Sequence, residues 1–107
     1  MSEKCLISIV IPIDDYICIL SCNAIVKLRD AKKLKKHMKK NKRKTYIYDT
    51  KYREHGTAEK IPYKYIEVEI STDPIIMDAY EKMHEFMGTC MSDLDFDIFY
   101  EDIMNDE

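Results

Sequence analysis

Residues 93–98 read DLDFDI, which is how a calcium-binding loop begins. Such a loop needs glycine at its sixth position and a bidentate glutamate at its twelfth. This chain has Ile98 and Met104 there. Calcium binding is therefore not expected.

Cysteine and histidine side chains are the next candidates for metal chemistry. Cys18 and Cys22 are separated by three residues, and His37, His55 or Cys90 could complete a tetrahedral zinc site. The chain has no second close pair, and Cys18 lies within an apolar run. We therefore predict no metal and no cofactor, with all four cysteines reduced in a cytoplasmic protein.

Two adjacent carboxylates, Asp14 and Asp15, follow the first apolar run. They could hold a catalytic metal in a small metal-dependent nuclease, although acids at this place most often form a turn. The histidines have no evident nucleophile beside them, and the only two glycines, Gly56 and Gly88, cannot form a phosphate-binding loop. We predict a protein that is not an enzyme and keep the nuclease as an alternative.

The distribution of charge is the most distinctive feature of the chain. Residues 31–44 read AKKLKKHMKKNKRK, and nine of these fourteen are cationic although the formal net charge is -3. Cations this dense repel one another over the screening distance of about 8 Å, so an anionic partner would stabilise them. This pattern predicts nucleic-acid binding, or binding to a nucleic-acid machine, through Lys32, Lys33, Lys35, Lys36, Lys39, Lys40, Lys42 and Arg43.

Aromatic side chains could add base stacking to these phosphate contacts. Tyr46, Tyr48, Tyr63 and Tyr65 alternate on two predicted strands, so they are included in the predicted nucleic-acid site. Tyrosines on a sheet face also pack across strands without any ligand. The signature of the RNA-recognition motif is absent.

The C-terminal part of the chain carries the opposite charge. Residues 73–107 contain eleven Asp or Glu and a single Lys82. The acids of DLDFDIFYEDIMNDE alternate with apolar residues, as in a nucleic-acid mimic, and small phage or virus inhibitors often have this size and charge. The alternative function is therefore an inhibitor or adaptor that binds a basic protein through Asp93, Asp95, Asp97, Glu101 and Asp102. The two blocks could also neutralise one another within the fold, or the acids could simply protect an edge strand.

The elements that position these residues form one predicted domain over 1–107, with 46% hydrophobic and 35% charged residues. Residues 5–22 predict a β-hairpin, with one long strand broken at Pro12 as the alternative. Ser21 or Asn23 would cap a basic helix over about 24–43, with an apolar stripe that includes Ile25, Leu28, Ala31, Leu34 and Met38. Strands are predicted at 45–49 and 61–70, joined by a loop over 51–60. On the second strand Ile66, Val68 and Ile70 would face inward, with Tyr63, Tyr65, Glu67 and Glu69 on the other face.

A second helix is predicted from Thr72-Asp73-Pro74 to Gly88. Its wide buried face would consist of Ile75, Ile76, Ala79, Met83, Phe86 and Met87. Residues 93–100 predict a last strand, with a helical turn as the competing interpretation, before an acidic tail at about 101–107. The order β(β)αββαβ indicates an α+β, two-layer sandwich of ferredoxin-like type, with two helices on one face of an antiparallel sheet.

Membrane association is not expected. The apolar run CLISIVIPI is too short to span a bilayer, and no cleavage site of a signal peptide follows it. The basic helix has no Trp or Phe to insert into lipid. Opposite charge blocks and an apolar first strand are compatible with a homodimer.

Overall fold

The computed structural model of the chain describes residues 3–12, 19–49, 58–87 and 93–105. The class is α+β, as predicted. The elements, in chain order, are strands β1 (Lys4–Pro12) and β2 (Ile19–Lys27), helix α1 (Leu28–Lys40), strands β3 (Thr45–Asp49) and β4 (Ala58–Pro62), a 3-10 turn (Tyr63–Tyr65), strand β5 (Glu67–Ser71), and helices α2 (Pro74–Met87) and α3 (Asp93–Met104).

The main sheet is antiparallel with strand order β2-β1-β5, while β3 and β4 form a separate antiparallel pair. The predicted hairpin is confirmed, since β1 and β2 pair from Lys4 opposite Lys27 to Pro12 opposite Ile19. The predicted helix start near residue 24 is wrong, because β2 continues to Lys27. Asn23 caps no helix there; its side chain accepts a hydrogen bond of 2.6 Å from the Ser8 hydroxyl on the neighbouring strand.

The core lies between the main sheet and helices α1 and α3. On α1 the predicted apolar residues Ala31, Leu34 and Met38 are buried. Each large apolar side chain that is fully buried contributes about 1.5–3 kcal/mol. The core cluster consists of Cys5, Ile7, Ile9, Ile11, Cys22, Ala24, Ala31, Leu34, Met38, Ile61, Tyr63, Ile66, Phe96, Phe99 and Ile103.

The single strand predicted over 61–70 is two strands in different sheets. β4 begins at Ala58, inside the predicted loop, and ends at Pro62, which has no N–H to extend the ladder. The N–H of Tyr63 then donates to the Lys44 carbonyl at 2.9 Å, and the 3-10 turn leads into β5. In β5 the predicted alternation holds: Val68 and Ile70 are partly buried, whereas Glu67 and Glu69 are exposed.

The predicted last strand is helix α3, so the ferredoxin-like order, which needs a strand after α2, is not the observed order. Phe96, Phe99 and Ile103 follow helical spacing and are buried. Ile98, which strand alternation would place beside Phe96, is 49% exposed. Residues 101–104 of the predicted tail belong to this helix.

The two predicted helices do not share a face of the sheet. α1 packs on the side of Ile7 and Ile9. α2 lies against the opposite side, where it lines a groove with Lys4 and Ile25 and where the Tyr80 hydroxyl donates to the Asn23 carbonyl at 2.7 Å. The arrangement therefore differs from the predicted sandwich with both helices on one face.

The wide buried face predicted for α2 is wrong. Ile75, Ile76 and Met83 are 77%, 46% and 61% exposed, and Ala79 is also exposed. The side chains of Phe86 and Met87 lie outside the described part of the chain. The predicted start is confirmed, because the Ile75 N–H donates to the Asp73 carboxylate at 2.9 Å and Pro74 begins the helix.

Removal of this cap by Asp73→Ala should lower the stability of α2 by about 0.5–2 kcal/mol. Asp73→Asn keeps the acceptor and should cost much less. Hydrogen exchange of the Met77 amide, which donates to the Asp73 carbonyl, reports the local stability of the first turn. Equal exchange rates in the two variants would contradict the role of the side chain as a cap.

Candidate nucleic-acid interface

The candidate interface is the outward side of α1. Its apolar residues occupy one side of the helix, so the cations must lie on the other. At 3.6 residues per turn, the cations of α1 share an arc of about 160°. They are Arg29, Lys32, Lys33, Lys35, Lys36, Lys39 and Lys40.

The local sequence favours this helix despite the repulsion between its cations. Asp30 in the first turn, and Lys39 and Lys40 in the last, are placed favourably for the helix dipole. The backbone N–H and the side-chain amide of Asn41 both donate to the His37 carbonyl, at 3.0 and 2.9 Å. These bonds end the helix without glycine.

All eight basic residues predicted from the sequence are exposed. Six lie on α1, and Lys42 and Arg43 follow directly after its end. Across the ranges that the structure describes, no carboxylate lies within 4.0 Å of any of the eight. The face, which we call the α1 cation face, consists of these eight residues and Arg29.

The prediction omitted Arg29, although it belongs to the same face. Its guanidinium is exposed and 4.0 Å from the Asp30 carboxylate. Arg29, Lys33, Lys36 and Lys40 are spaced by four, three and four residues, a periodicity that the sequence could have revealed.

The predicted tyrosine platform does not form. Tyr63 is buried in the core, and the Tyr46 ring packs edge-on against Phe99 with centroids 5.0 Å apart. Tyr65 is 57% exposed, but it lies in the 3-10 turn with the Lys64 ammonium 4.9 Å from its ring centroid. The side chain of Tyr48 lies outside the described residues. Tyr63 therefore cannot stack bases as predicted, and Tyr46 is partly buried against the core.

An open groove of about 850 Å³ lies where the two charge blocks meet. Arg43 and Lys44, which follow α1, and Lys60 of β4 line it together with the carboxylates of Glu101 and Asp102. Because charges of both signs share this groove, phosphate should bind less favourably there than on the α1 cation face.

The predicted acidic site lies on α3. Asp97, Glu101 and Asp102 are exposed, and the side chains of Asp93 and Asp95 lie outside the described part. α3 contacts α1 through the core. Burial, and then the Asp30 carboxylate, raise the pKa of the α3 residue Tyr100, while Arg29 opposes the shift. Even so, among the described residues no ion pair joins α1 to α3.

The described residues contain no group of three metal-ligating side chains. Cys5 and Cys22 are buried in the core, and Cys5 is a free thiol. Burial raises the pKa of the Cys5 thiol, and the nearby Lys32 ammonium only partly opposes this shift. The raised pKa disfavours the thiolate form that binds a metal. The remaining candidate ligands, including Asp14, Asp15, Cys18, His55 and Cys90, lie outside the described residues.

Comparison with known proteins adds no relative. No protein-family model matches the chain, and no curated protein or solved structure shows significant similarity to it. Within the described ranges, no helix combines the length and the apolar character that crossing a membrane requires.

Proposed function

We propose that the protein binds nucleic acid through the α1 cation face and is not an enzyme. The observation that carries this proposal is the set of eight exposed Lys and Arg side chains without a carboxylate partner in the described structure. The six of them that lie on α1 are held on one side of a packed helix, so they cannot spread apart to relieve their repulsion. A polyanion neutralises them together and releases its own counterions.

The geometry favours contacts to the phosphate backbone over contacts to the bases. The thirteen residues of α1 span about 20 Å, and duplex DNA carries one charge per about 1.7 Å of its axis. Several lysines can therefore contact phosphates at once. With Tyr63 in the core and Tyr46 packed against Phe99, base stacking contributes little, so binding should depend weakly on sequence.

The first test is binding of fluorescent single-stranded and duplex DNA and RNA across a salt series. If about five phosphates are contacted, affinity for duplex DNA should fall on the order of 10²–10³-fold between about 50 and 200 mM salt. Anisotropy measures this directly. Oligomers of equal length and different sequence serve as controls, and they should bind with similar affinity.

Absence of binding at low salt would contradict the proposal. The acidic face of α3 would then be the leading candidate, as a surface for a basic protein partner. Its support is the exposed Ile98 on the same helix as the exposed Asp97, Glu101 and Asp102. The nuclease alternative depends on Asp14 and Asp15, which lie outside the described residues, and the proposal does not use it.

A cytoplasmic location is part of the proposal. Its support is that Cys5 and Cys22 are buried as small core residues and that Cys5 is a free thiol, as expected in a reducing compartment. A homodimer is not required, since one copy already presents the whole α1 cation face.

A further inference from the structure

A small basic pocket lies where helix α1 ends. The backbone turns there, and the Lys44 N–H donates to the Asn41 carbonyl at 3.0 Å. An open pocket of about 340 Å³ is formed at this turn. We call it the α1-end pocket, and its lining consists of Lys39, Lys40, Asn41, Lys42, Arg43 and Lys44.

The lining of the α1-end pocket is almost entirely cationic, since five of the six residues are Lys or Arg and the sixth is Asn41. Lys39, Lys40, Lys42 and Arg43 are exposed, and no carboxylate of the described ranges pairs with them. On the outward side of α1 each cation can meet a different anionic group, whereas in a pocket several cations surround the same one. The anion that matches the pocket best is therefore compact and carries more than one charge.

The dipole of α1 does not cancel this preference. The last turn of a helix carries about half a negative charge, which repels anions. In α1 the His37 carbonyl of that turn already accepts hydrogen bonds from the backbone and the side chain of Asn41, at 3.0 and 2.9 Å. The five side-chain cations outweigh the partial charge that remains, so the pocket as a whole attracts anions.

The charges on the two sides of the pocket differ. On one side is the row of cations on α1, whose last member, Lys40, lines the pocket. On the other side, Arg43 and Lys44 also line the groove that carries the carboxylates of Glu101 and Asp102. A nucleic-acid strand that follows the cations of α1 would meet these carboxylates if it continued past the pocket. The charges therefore favour a strand that ends there.

We propose that the α1-end pocket binds the terminal phosphate of a nucleic-acid strand. A terminal phosphate is a monoester, with three acceptor oxygens and a charge of about −1.5 to −2 at pH 7, whereas each phosphate within a strand carries a single charge. The lysines of the pocket supply point charges to these oxygens, and Arg43 offers a bidentate contact. This inference rests on the proposed function and adds to it a preference for strand ends.

The test compares single-stranded DNA ligands of one sequence, each labelled on an internal base, by fluorescence anisotropy. The ligands carry a 5′-phosphate, a 3′-phosphate or hydroxyl groups at both ends, and the fourth is the circle made by ligating the 5′-phosphate strand. The circle keeps the number of phosphates but has no terminal one. We expect at least one phosphate-ended strand to bind about fivefold more tightly than the circle at about 100 mM salt, with a salt slope steeper by about 0.7.

Two variants of the protein locate this preference. Lys42→Gln, Arg43→Gln should reduce it to less than about twofold, because the pocket then neutralises little more than one charge. The matched control is Lys32→Gln, Lys33→Gln, which removes as many charges from a part of α1 that does not line the pocket. It should weaken the binding of all four ligands by a similar factor and keep the preference. All four side chains are exposed, so both variants should fold, as far-UV circular dichroism can verify.

The outcomes separate this inference from the proposed function. If the circle or the hydroxyl-ended strand bound as tightly as both phosphate-ended strands, the pocket would have no preference for a terminal phosphate, and nucleic-acid binding by α1 would stand. Absence of binding to every ligand would overturn both proposals. A preference that the two variants lose equally would be an effect of net charge. Displacement of the phosphate-ended strand by a nucleoside monophosphate of equal affinity would make a free nucleotide the ligand.

Discussion

Reversal of Lys35, Lys36, Lys39 and Lys40 to glutamate should reduce affinity for duplex DNA by at least about 100-fold at about 100 mM salt. Each substitution removes a cation that neutralises phosphate and adds a charge that repels the backbone. The slope of log affinity against log salt should become shallower by about 0.9 for each phosphate that the variant no longer neutralises. The measurement is a salt titration of the variant beside the unmodified protein.

A matched control separates local phosphate binding from an effect of net charge. Lys4, Lys60, Lys64 and Lys82 are exposed and lie outside α1. Their reversal changes the net charge by the same amount, yet affinity should fall by less than about tenfold, because only the long-range attraction is reduced. Equal effects in the two variants would show that the α1 cation face is not a specific binding surface.

Ile103→Ala should destabilise the protein by about 2–5 kcal/mol, whereas Ile98→Ala should cost less than about 1 kcal/mol. Both substitutions remove the same atoms from the same helix. Ile103 is fully buried against the core, while Ile98 is half exposed. Urea denaturation followed by circular dichroism gives both values. Because a small domain is stable by only about 5–15 kcal/mol, the effect at Ile103 is a large fraction of the total.

This pair of variants also tests the conformation of residues 93–104. In a strand, Ile98 would share a face with Phe96 and Tyr100, and Ile103 would belong to a solvated tail. The order of the two effects would then be reversed. A larger destabilisation by the substitution at Ile98 than by the one at Ile103 would therefore reject helix α3.

The basic block on α1 and the acidic block on α3 could lose their function as binding surfaces if they neutralised each other. α1 and α3 pack through the core, so the sequence's opposite blocks do come together in space. The cations of α1 and the described acids of α3 are nonetheless exposed, and no ion pair links the two helices in the described structure. The two charge blocks therefore do not neutralise each other through ion pairs in the described structure. Both surfaces are available to partners.

Local patterns in the sequence determined much of the layout. Ala31, Leu34 and Met38 follow helical spacing, so the burial of one side of α1 and the exposure of the lysines on the other could both be predicted. Asp73 and Pro74 marked the start of α2 through capping chemistry. The alternation of acidic and apolar residues in 67–70 correctly predicted that the glutamates are exposed and that Val68 and Ile70 face the core.

Periodicity failed where one stretch fits two structures. DFDIFY alternates as a strand does, but Phe96, Phe99 and Ile103 also fit a helix, and only packing against α1 and β2 selects the helix. Ala24 and Ile25 likewise fit a helix by their spacing. They belong to strand β2 because β2 pairs with β1 as far as Lys27. Alternation also predicted that Tyr46 and Tyr63 face outward. Instead, Tyr46 packs against Phe99 of α3, and the break of the strand after Pro62 places Tyr63 in the core.

The sequence by itself determined which residues carry charge, where α2 begins and which side of α1 is buried, because these depend on neighbours within a few residues. Only the tertiary structure decided that Tyr63 lies in the core with Tyr46 packed against it, and that the apolar side chains of Ile75, Ile76 and Met83 on α2 face outward. An apolar stripe has the same spacing whether or not another element covers it. Its exposure depends on which side of the helix the rest of the chain packs against.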